Sequence, residues 1–259
     1  MMENREFKYK IENKRYHTWN YYLREKFGTK VFKVSINAGF TCPNIDGSIS
    51  YGGCAYCSKD GSGDFAGNPR DNLVKQFKDI KEMMEKKWPQ AKYIGYFQAF
   101  TNTYAPLEVL KDKYETILDQ DGVVGLSIST RPDCIDDDLL DYLAQLNTRT
   151  NLWVELGLQT VHDQTSNIIN RGHGLDVFVD CVNRLRSREI EVVAHVINGL
   201  PGETYDMMME TIRRVSHMDI QGVKIHLLHV IKGTPMVNML NKGELKLLSK
   251  EEYVDLVVI

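Results

Sequence analysis

The chain of 259 residues carries a formal net charge of −3 and has a pI near 6.2, so no global basic surface marks it as a nucleic-acid-binding protein. Its 42% hydrophobic content is ordinary for a globular protein, and no apolar run reaches the roughly 18 residues that a transmembrane helix needs. The length suits one large domain, and the polar start M-M-E-N-R-E-F-K-Y-K lacks a secretory h-region, so we expect a cytoplasmic protein with no membrane partner.

Residues 1–30 form a predicted N-terminal extension with one short helix. Apolar and aromatic side chains follow helical spacing from Trp19 to Phe27, and Gly28 stands where a helix end favours glycine. This stripe predicts a helix that packs on the rest of the protein. A second interpretation stays open, in which the basic and aromatic residues of segment 15–30 bind RNA.

A glycine-rich loop, F-T-C-P-N-I-D-G-S-I-S-Y-G-G-C-A-Y-C-S, follows the apolar run Val31–Ile36. It gives Cys42, Cys54 and Cys57 the spacing Cys-x11-Cys-x2-Cys. Three thiolates on one loop can hold three corners of an iron–sulfur cluster and leave the fourth iron open to another ligand. The loop therefore predicts a metal centre with one exchangeable position.

The remaining cysteines leave two alternatives open. A zinc site built on Cys54 and Cys57 would require another Cys-x2-Cys or a His pair, which the sequence lacks. Cys134 or Cys181 could supply a fourth ligand, whereas the competing interpretation makes both of them small buried side chains.

Downstream of the loop, apolar runs alternate with amphipathic segments. Strands are predicted at 31–36, 93–99, 123–129, 151–158, 191–197 and 222–229, and helices at 71–88, 107–120, 137–146, 163–170, 174–188 and 203–218. This order predicts an α/β fold, a full or partial (β/α) barrel whose right-handed crossovers bring all strand C-termini to one rim. We expect the barrel over residues 31–240 and a helical segment, capped by Ser249 and ending within its pattern, over residues 241–259.

The cysteine spacing and the motifs that follow it resemble the radical S-adenosylmethionine (SAM) superfamily, and within its wide-spaced, elongator-catalytic-subunit-like group the YhcC/YtqA-type family. The matching stretches include G-F-T-C-P-N-I-D-G, G-G-C-A-Y-C-S, Y-F-Q-A-F-T-N-T-Y-A-P, S-I-S-T-R-P-D-C, W-V-E-L-G-L-Q-T, I-N-R-G-H and H-V-I-N-G-L-P-G-E-T. The resemblance implies a (β/α)6 partial TIM barrel, a [4Fe–4S] cluster on the three cysteines, and SAM on the open iron. An electron delivered by a donor such as flavodoxin or ferredoxin would cleave SAM to a 5′-deoxyadenosyl radical.

The resemblance also assigns cofactor contacts at the strand ends. Gln98 and Thr101 would contact the methionine ammonium, in a region where other members of the superfamily have Gly-Gly-Glu. Ser129 would contact the ribose, at a position where some relatives have an acid. Gln159 would bind the ribose and Arg171 the methionine carboxylate, because a fork of donors matches a planar anion.

Further strand-end residues complete the predicted cofactor site. His229 and Val230 resemble the segment that holds the adenine, and the glycine-rich turn at Asn198 lets backbone approach a ligand. Glu155 interrupts an apolar strand and therefore requires a partner. His195 could contact ribose, act as an acid or base, or be a satisfied core histidine.

The substrate side is predicted from loops that should reach the rim, which carry Tyr51, Asp64, Phe65, Asn102 and Tyr104. An acid such as Asp64 could accept the N–H donors of a guanine-like edge, although a surface turn explains it equally well. The first hypothesis is a radical SAM lyase that cleaves a nucleobase-like small molecule, the free base queuine. The alternatives are modification of a wobble uridine in tRNA and a non-catalytic iron–sulfur or zinc scaffold.

Overall fold

Six parallel strands, hydrogen-bonded in sequential order, form the curved sheet of this protein. The computed structural model describes residues 14–258. The strands are β1 (Val31–Ile36), β2 (Lys92–Phe97), β3 (Val123–Thr130), β4 (Asn151–Gln159), β5 (Glu191–Asn198) and β6 (Gly222–Leu227). Within the described residues no backbone ladder joins β1 to β6, so the sheet is a half-barrel with two edges. This confirms the predicted α/β fold, a (β/α)6 partial TIM barrel.

Helices precede, connect and follow the strands, and several of them cover the outer face of the sheet. They are α1 (Trp19–Phe27), α2 (Leu73–Glu85), α3 (Leu107–Leu118), α4 (Asp137–Asn147), α5 (Asp163–Ile168), α6 (Leu175–Arg186), α7 (Tyr205–Ser216), α8 (Pro235–Asn241) and α9 (Lys250–Val258). Thr18, Asn72, Asp136 and Thr204 cap the helices that follow them by accepting a backbone N–H in the first turn. Ser249 caps α9 as predicted, since its Oγ accepts the N–H of Glu252 at 3.1 Å.

The main hydrophobic core lies between the sheet and these helices. Phe97 and Val154 point outward from their strands and pack in one cluster with Tyr114, Leu143 and Phe178 of the helices, all fully buried. Each such side chain contributes about 1.5–3 kcal/mol on burial. The core thus occupies the outer face and leaves the inner face of the half-barrel for polar residues.

Helix α1 covers the N-terminal mouth of the half-barrel. The Trp19 ring meets the ring of Trp153 edge-on, with centroids 4.8 Å apart, and Tyr22 does the same at 5.4 Å. Tyr22 also donates its hydroxyl hydrogen to Glu191, at the start of β5, across 3.1 Å. The aromatic stripe is therefore a packing surface, as the first interpretation of this segment predicts.

The predicted elements agree with the structure apart from their ends. The second helix spans Leu73–Glu85 within the predicted 71–88, and β6 ends at Leu227, two residues before the predicted end. Residues 1–13 of the predicted N-terminal extension lie outside the described residues, as does residue 259 of the C-terminal segment. The division of the chain at residues 31 and 241 stays a prediction.

Candidate active site

The carboxyl ends of the strands and the cysteine loop enclose one cavity of about 380 Å³. Twelve of the residues that sequence analysis selected line this cavity. They come from the segment between β1 and α2, from five strands or the residues directly after them, and from the turn after α5. They are Cys42, Cys54, Cys57, Asp64, Phe65, Gln98, Thr101, Ser129, Gln159, Arg171, His195 and His229. The rim predicted from right-handed crossovers therefore brings the cluster residues and most of the cofactor residues together.

Six of the selected residues lie elsewhere. Tyr51 is 78% exposed outside the cavity, and Tyr104 lines a neighbouring pocket where its hydroxyl lies 2.7 Å from that of Ser48. Asn102 is fully buried and donates its side-chain amide to the carbonyl of Ser129 at 2.8 Å.

The other three belong to the wall behind the cavity. Asn198 is buried and its carbonyl accepts the N–H of Leu228 at 2.9 Å, where β6 ends. Val230 packs against a small apolar cluster that includes Leu228. Glu155 lies beneath the cavity with its side chain fully buried.

The cysteine loop is fixed by tight turns and by one asparagine. The carbonyls of Cys42 and Cys54 accept the N–H groups three residues later, at 2.8 and 3.0 Å. Asn170, whose φ of 53° places it in the left-handed region, donates its side-chain amide to the carbonyl of Gly53 at 2.9 Å, and its own carbonyl accepts from Asn44. Asn170 therefore joins the loop to the end of α5. The sequence prediction from I-N-R-G-H selected its neighbour Arg171 and missed this residue.

The cysteines sit in surroundings that suit metal-bound sulfur. Burial raises the pKa of the Cys54 thiol and raises that of Cys57 to about 11, so a positive centre is needed to keep both as thiolates. Asn44 donates its side-chain amide to the Cys54 sulfur at 3.5 Å, and the Ser62 hydroxyl lies 3.4 Å from the Cys57 sulfur. Hydrogen bonds of this kind tune the potential of an iron–sulfur cluster.

The two remaining cysteines lie apart from this trio. Cys181 is buried on α6 within the main core, and Cys134 lines the neighbouring pocket beside Asp133. Among residues 14–258, no three His, Cys, Asp or Glu side chains are close enough to hold a single metal ion.

The amides of Gln98 and Gln159 leave acceptor oxygens for a ligand. Gln98 donates its amide hydrogen to the carbonyl of Ser62 at 2.9 Å, which leaves its oxygen as an acceptor suited to an ammonium group. Gln159 lies at an irregularity of β4 with a φ of 60°, and its side-chain Oε1 is buried with no partner in the described structure. A buried acceptor without a donor is costly, so the cavity wall is built to receive a hydroxyl or N–H here.

Two arginines near the cysteines pair their guanidinium groups with carbonyl and carboxylate oxygens of the protein itself. Arg171 donates to the carbonyls of Leu158, Thr160 and His173, the last at 2.8 Å. Arg131 forms an ion pair with Asp133 at 2.6 Å and also donates to the carbonyl of Arg171. The Arg131–Asp133 ion pair fixes the turn after β3, and Arg171 holds the end of β4 against the loop that follows α5.

At the floor of the cavity, each strand contributes one inward polar side chain to what we call the polar layer. Its members are Lys33, Tyr96, Ser127, Glu155, His195 and Lys224. The Glu155 carboxylate accepts hydrogen bonds from Lys33, from Ser127 and, at 2.7 Å, from His195 Nε2. Glu155 thus has the partner that its position required.

The charges of the polar layer follow from this geometry. Burial alone would raise the pKa of Glu155, but the charge of Lys33 and the His195 hydrogen bond outweigh it and hold the pKa well below its usual range. Burial lowers the pKa of His195 despite the neighbouring carboxylate, so the imidazole is neutral at pH 7. Sequence analysis missed Lys33, Tyr96, Ser127 and Lys224, although alternate residues of each strand share a face and could have indicated them.

Residues 49–215, more than half of the chain, match the family model described as "Radical SAM superfamily". The chain belongs to the radical SAM superfamily. A second model, "Radical_SAM C-terminal domain", matches residues 220–259. The first match begins after Cys42, and the structure brings that residue to Cys54 and Cys57 in one cavity.

Close relatives place the chain in the YhcC/YtqA-type family. It is 60% identical to the uncharacterized protein YtqA of Bacillus subtilis, over 99% of this chain and 80% of YtqA. It is 37% identical to the protein YhcC of Escherichia coli, over 89% of this chain and 74% of YhcC. The structure of the archaeal Methanocaldococcus infernus Elp3 shares the fold with a TM-score of 0.64 and 18% identity, covering 88% of this chain and about half, 52%, of that one.

The cofactors of the superfamily are a [4Fe–4S] cluster and SAM, and the side chains present fit both. Three cysteines, two of which have a hydrogen-bond donor near the sulfur, match a cluster with an open position. Gln159, whose buried side-chain oxygen has no partner in the described residues, is among the residues that line the same cavity. A Cβ at Gly157 would lie 2.6 Å from the Gln159 side-chain nitrogen, so glycine there preserves this amide position. No helix in residues 14–258 is long and apolar enough to cross a membrane.

Proposed function

We propose that this radical SAM enzyme is a lyase for a nucleobase-like small molecule, with queuine as the best candidate. The cluster and SAM supply, when bound, a 5′-deoxyadenosyl radical that abstracts hydrogen from the substrate. The observation that carries the proposal is the cavity itself, about 380 Å³ in volume, with cluster cysteines on its rim and polar side chains on its floor. Asp64 and Phe65 line the same cavity and offer a free base a carboxylate and an exposed ring.

The rim residues divide into those that would hold the cluster and those that would hold SAM. Cys42, Cys54 and Cys57 would ligate iron. The free oxygen of Gln98, with Thr101 beside it, suits the methionine ammonium, and Ser129 and Gln159 suit the ribose hydroxyls. His229 lines the cavity and would contact the adenine, with an apolar wall behind it. Arg171 would act on the methionine carboxylate only by exchanging one of its carbonyl partners.

The loop that follows the cysteines offers groups for a planar base. Asp64 accepts the hydroxyl hydrogen of Ser58 at 2.9 Å through one carboxylate oxygen, which leaves the other for the N–H donors of a guanine-like edge. Phe65 lines the same cavity and is 93% exposed, so its ring is open to stack on a base. Together they support recognition of a 7-deazaguanine ring.

The experiment is turnover by anaerobically reconstituted protein with SAM and a chemical or flavodoxin reductant. We expect queuine to yield a smaller 7-deazaguanine together with 5′-deoxyadenosine, both measured by liquid chromatography and mass spectrometry. A protein without iron, or with Cys54→Ser, serves as the negative control. Turnover of bulk tRNA with no reaction of free queuine would overturn the proposal.

The wobble-uridine alternative rests on the relationship to Elp3 and on the basic residues of α1. The position of α1 speaks against it, since this helix covers the N-terminal mouth, at the end of the half-barrel opposite the cysteines. The further proposals are a flavodoxin- or ferredoxin-type electron donor as partner and a cytoplasmic location.

A further inference from the structure

His226 adds an imidazole to the floor of the cavity, beyond the residues that are assigned to the cluster and SAM. It lies on β6, two residues beyond Lys224 of the polar layer, and both side chains line the cavity. The Nε2 atom of His226 is 3.3 Å from Nδ1 of His195, and the two ring centroids are 5.2 Å apart. A chain of contacts therefore runs from Lys33 through Glu155 and His195 to His226.

The contacts fix which nitrogen of each imidazole carries hydrogen. The Glu155 carboxylate can only accept, so His195 must carry its hydrogen on Nε2 and present a lone pair on Nδ1. That lone pair requires the hydrogen of His226 on Nε2. A neutral His226 then has its own lone pair on Nδ1, an atom without a partner in residues 14–258. The cavity floor consequently offers a hydrogen-bond acceptor of fixed orientation.

Lys224 places a donor next to this acceptor. Its ammonium group lies 3.4 Å from the hydroxyl of Tyr96 and 3.9 Å from Glu155, with 42% of the side chain exposed. Two residues along a strand are roughly 6.6 Å apart and face the same side. Both side chains line the same cavity, so each of two adjacent hydroxyl groups can pair with one of them.

The floor combines fixed charges with a neutral acceptor. Lys33 and Lys224 are positive and Glu155 is negative, so with both histidines neutral the group carries one net positive charge. Hydroxyl groups suit this floor because one can donate to His226 while its neighbour accepts from Lys224.

We propose that His226 and Lys224 form a two-point site for a vicinal diol of the substrate, with His195 and Glu155 as positioning residues. The site deepens the proposed function, on which it rests, because queuine carries a cyclopentene diol on its 7-deazaguanine ring. The diol then lies at the floor, and the base lies toward the rim, near Asp64 and Phe65.

The test is equilibrium binding to the reconstituted, unreduced protein with SAM present. Queuine is compared with 7-aminomethyl-7-deazaguanine, which lacks the diol ring. We expect His226→Phe and Lys224→Met each to weaken queuine binding about tenfold, the loss of one hydrogen bond, with little change for the diol-free compound. His226→Asn, which keeps an acceptor near the Nδ1 position, restores part of the affinity. His217→Asn, on the exposed end of α7, is the matched control and leaves it unchanged.

A second measurement tests the floor without queuine. Diethyl pyrocarbonate modifies unprotonated imidazoles with an accessible nitrogen, so His226 should react in the holoprotein, and millimolar cis-cyclopentane-1,2-diol should protect it, as read by mass spectrometry. In Glu155→Gln, checked for folding by circular dichroism, the protection weakens because His195 no longer has a fixed tautomer.

The outcomes separate the diol site from the proposed substrate. If queuine neither binds nor reacts while the diol protects His226, the substrate is wrong and the diol site stands. If queuine reacts but His226→Phe and Lys224→Met bind it as tightly as the unmodified protein does, the diol site is overturned and the proposed function stands. Failure of both queuine binding and diol protection overturns both.

Discussion

His195 donates the hydrogen on its Nε2 atom to Oε2 of Glu155 across 2.7 Å, which links β5 to β4 inside the half-barrel. The same carboxylate also accepts from Lys33 on β1 and from Ser127 on β3. One buried acid therefore connects four strands. Several of the expected properties of this protein depend on it.

Glu155→Gln should destabilise the protein by about 3 kcal/mol at pH 7, because Lys33 would be left in a largely buried position without its counter-charge. The measurement is urea unfolding followed by circular dichroism. The matched control is Glu210→Gln, which removes an exposed carboxylate paired with Arg214 and should change stability by less than about 0.5 kcal/mol.

The wild type and Glu155→Gln should differ in how their stability responds to acid. The pKa of Glu155 is depressed in the folded state, so its stabilising effect is present above the unfolded value of about 4.3 and is lost as the pH falls toward the folded pKa. The gap in unfolding free energy between the wild type and Glu155→Gln should therefore narrow below about pH 4. A gap that stays constant down to pH 3 would show that Glu155 is not a depressed, ionised group.

Serine substitution of Cys42, Cys54 or Cys57 should abolish the cluster, since each thiolate would hold one corner of it. Iron and sulfide content after anaerobic reconstitution should fall from about four per chain to near zero, together with the broad visible absorbance. Cys134→Ser and Cys181→Ala are the controls, because both residues lie outside the cavity. Loss of the cluster in either control would move that cysteine into the ligand set.

Gln159→Ala should weaken SAM binding about tenfold without loss of iron, since the buried Oε1 would no longer meet a ribose hydroxyl. Gly157→Ala should act in the same direction by displacing the Gln159 amide. Equilibrium binding of SAM to the unreduced protein measures both. Gln145→Ala, at an exposed position of α4, is the control. Unchanged affinity in Gln159→Ala would remove this residue from the cofactor site.

Charge reversal on α1 distinguishes the proposed queuine lyase from an enzyme that modifies a wobble uridine in tRNA. Arg24→Glu with Lys26→Glu should leave turnover of free queuine unchanged, because α1 lies at the mouth opposite the cysteines. Steeply salt-dependent tRNA binding that these substitutions abolish would instead favour the wobble-uridine alternative. Trp19→Ala is not a suitable probe, since Trp19 packs on Trp153 and its loss affects folding.

The sheet could be predicted from sequence because apolar runs such as Val31–Ile36 are bounded by glycine and charged residues. The cysteine trio could be predicted because its spacing is local. The polar layer could not, because Lys33 and Lys224 are 191 residues apart and meet Glu155 only once the sheet has curled. Asn102 shows a different limit: a polar residue at a strand end was expected to face a ligand, but its amide turns back to the carbonyl of Ser129.

The open edge between β1 and β6 has a mechanical consequence. In the part of the chain that the structure describes, these strands share no backbone hydrogen bond, and Lys33 and Lys224 reach across the interior toward the same carboxylate. Side chains alone thus hold the β1 and β6 edges together, so the distance between these edges can increase without loss of backbone hydrogen bonds between strands. Glu155 is therefore the group whose loss would let the opening between the two edge strands widen.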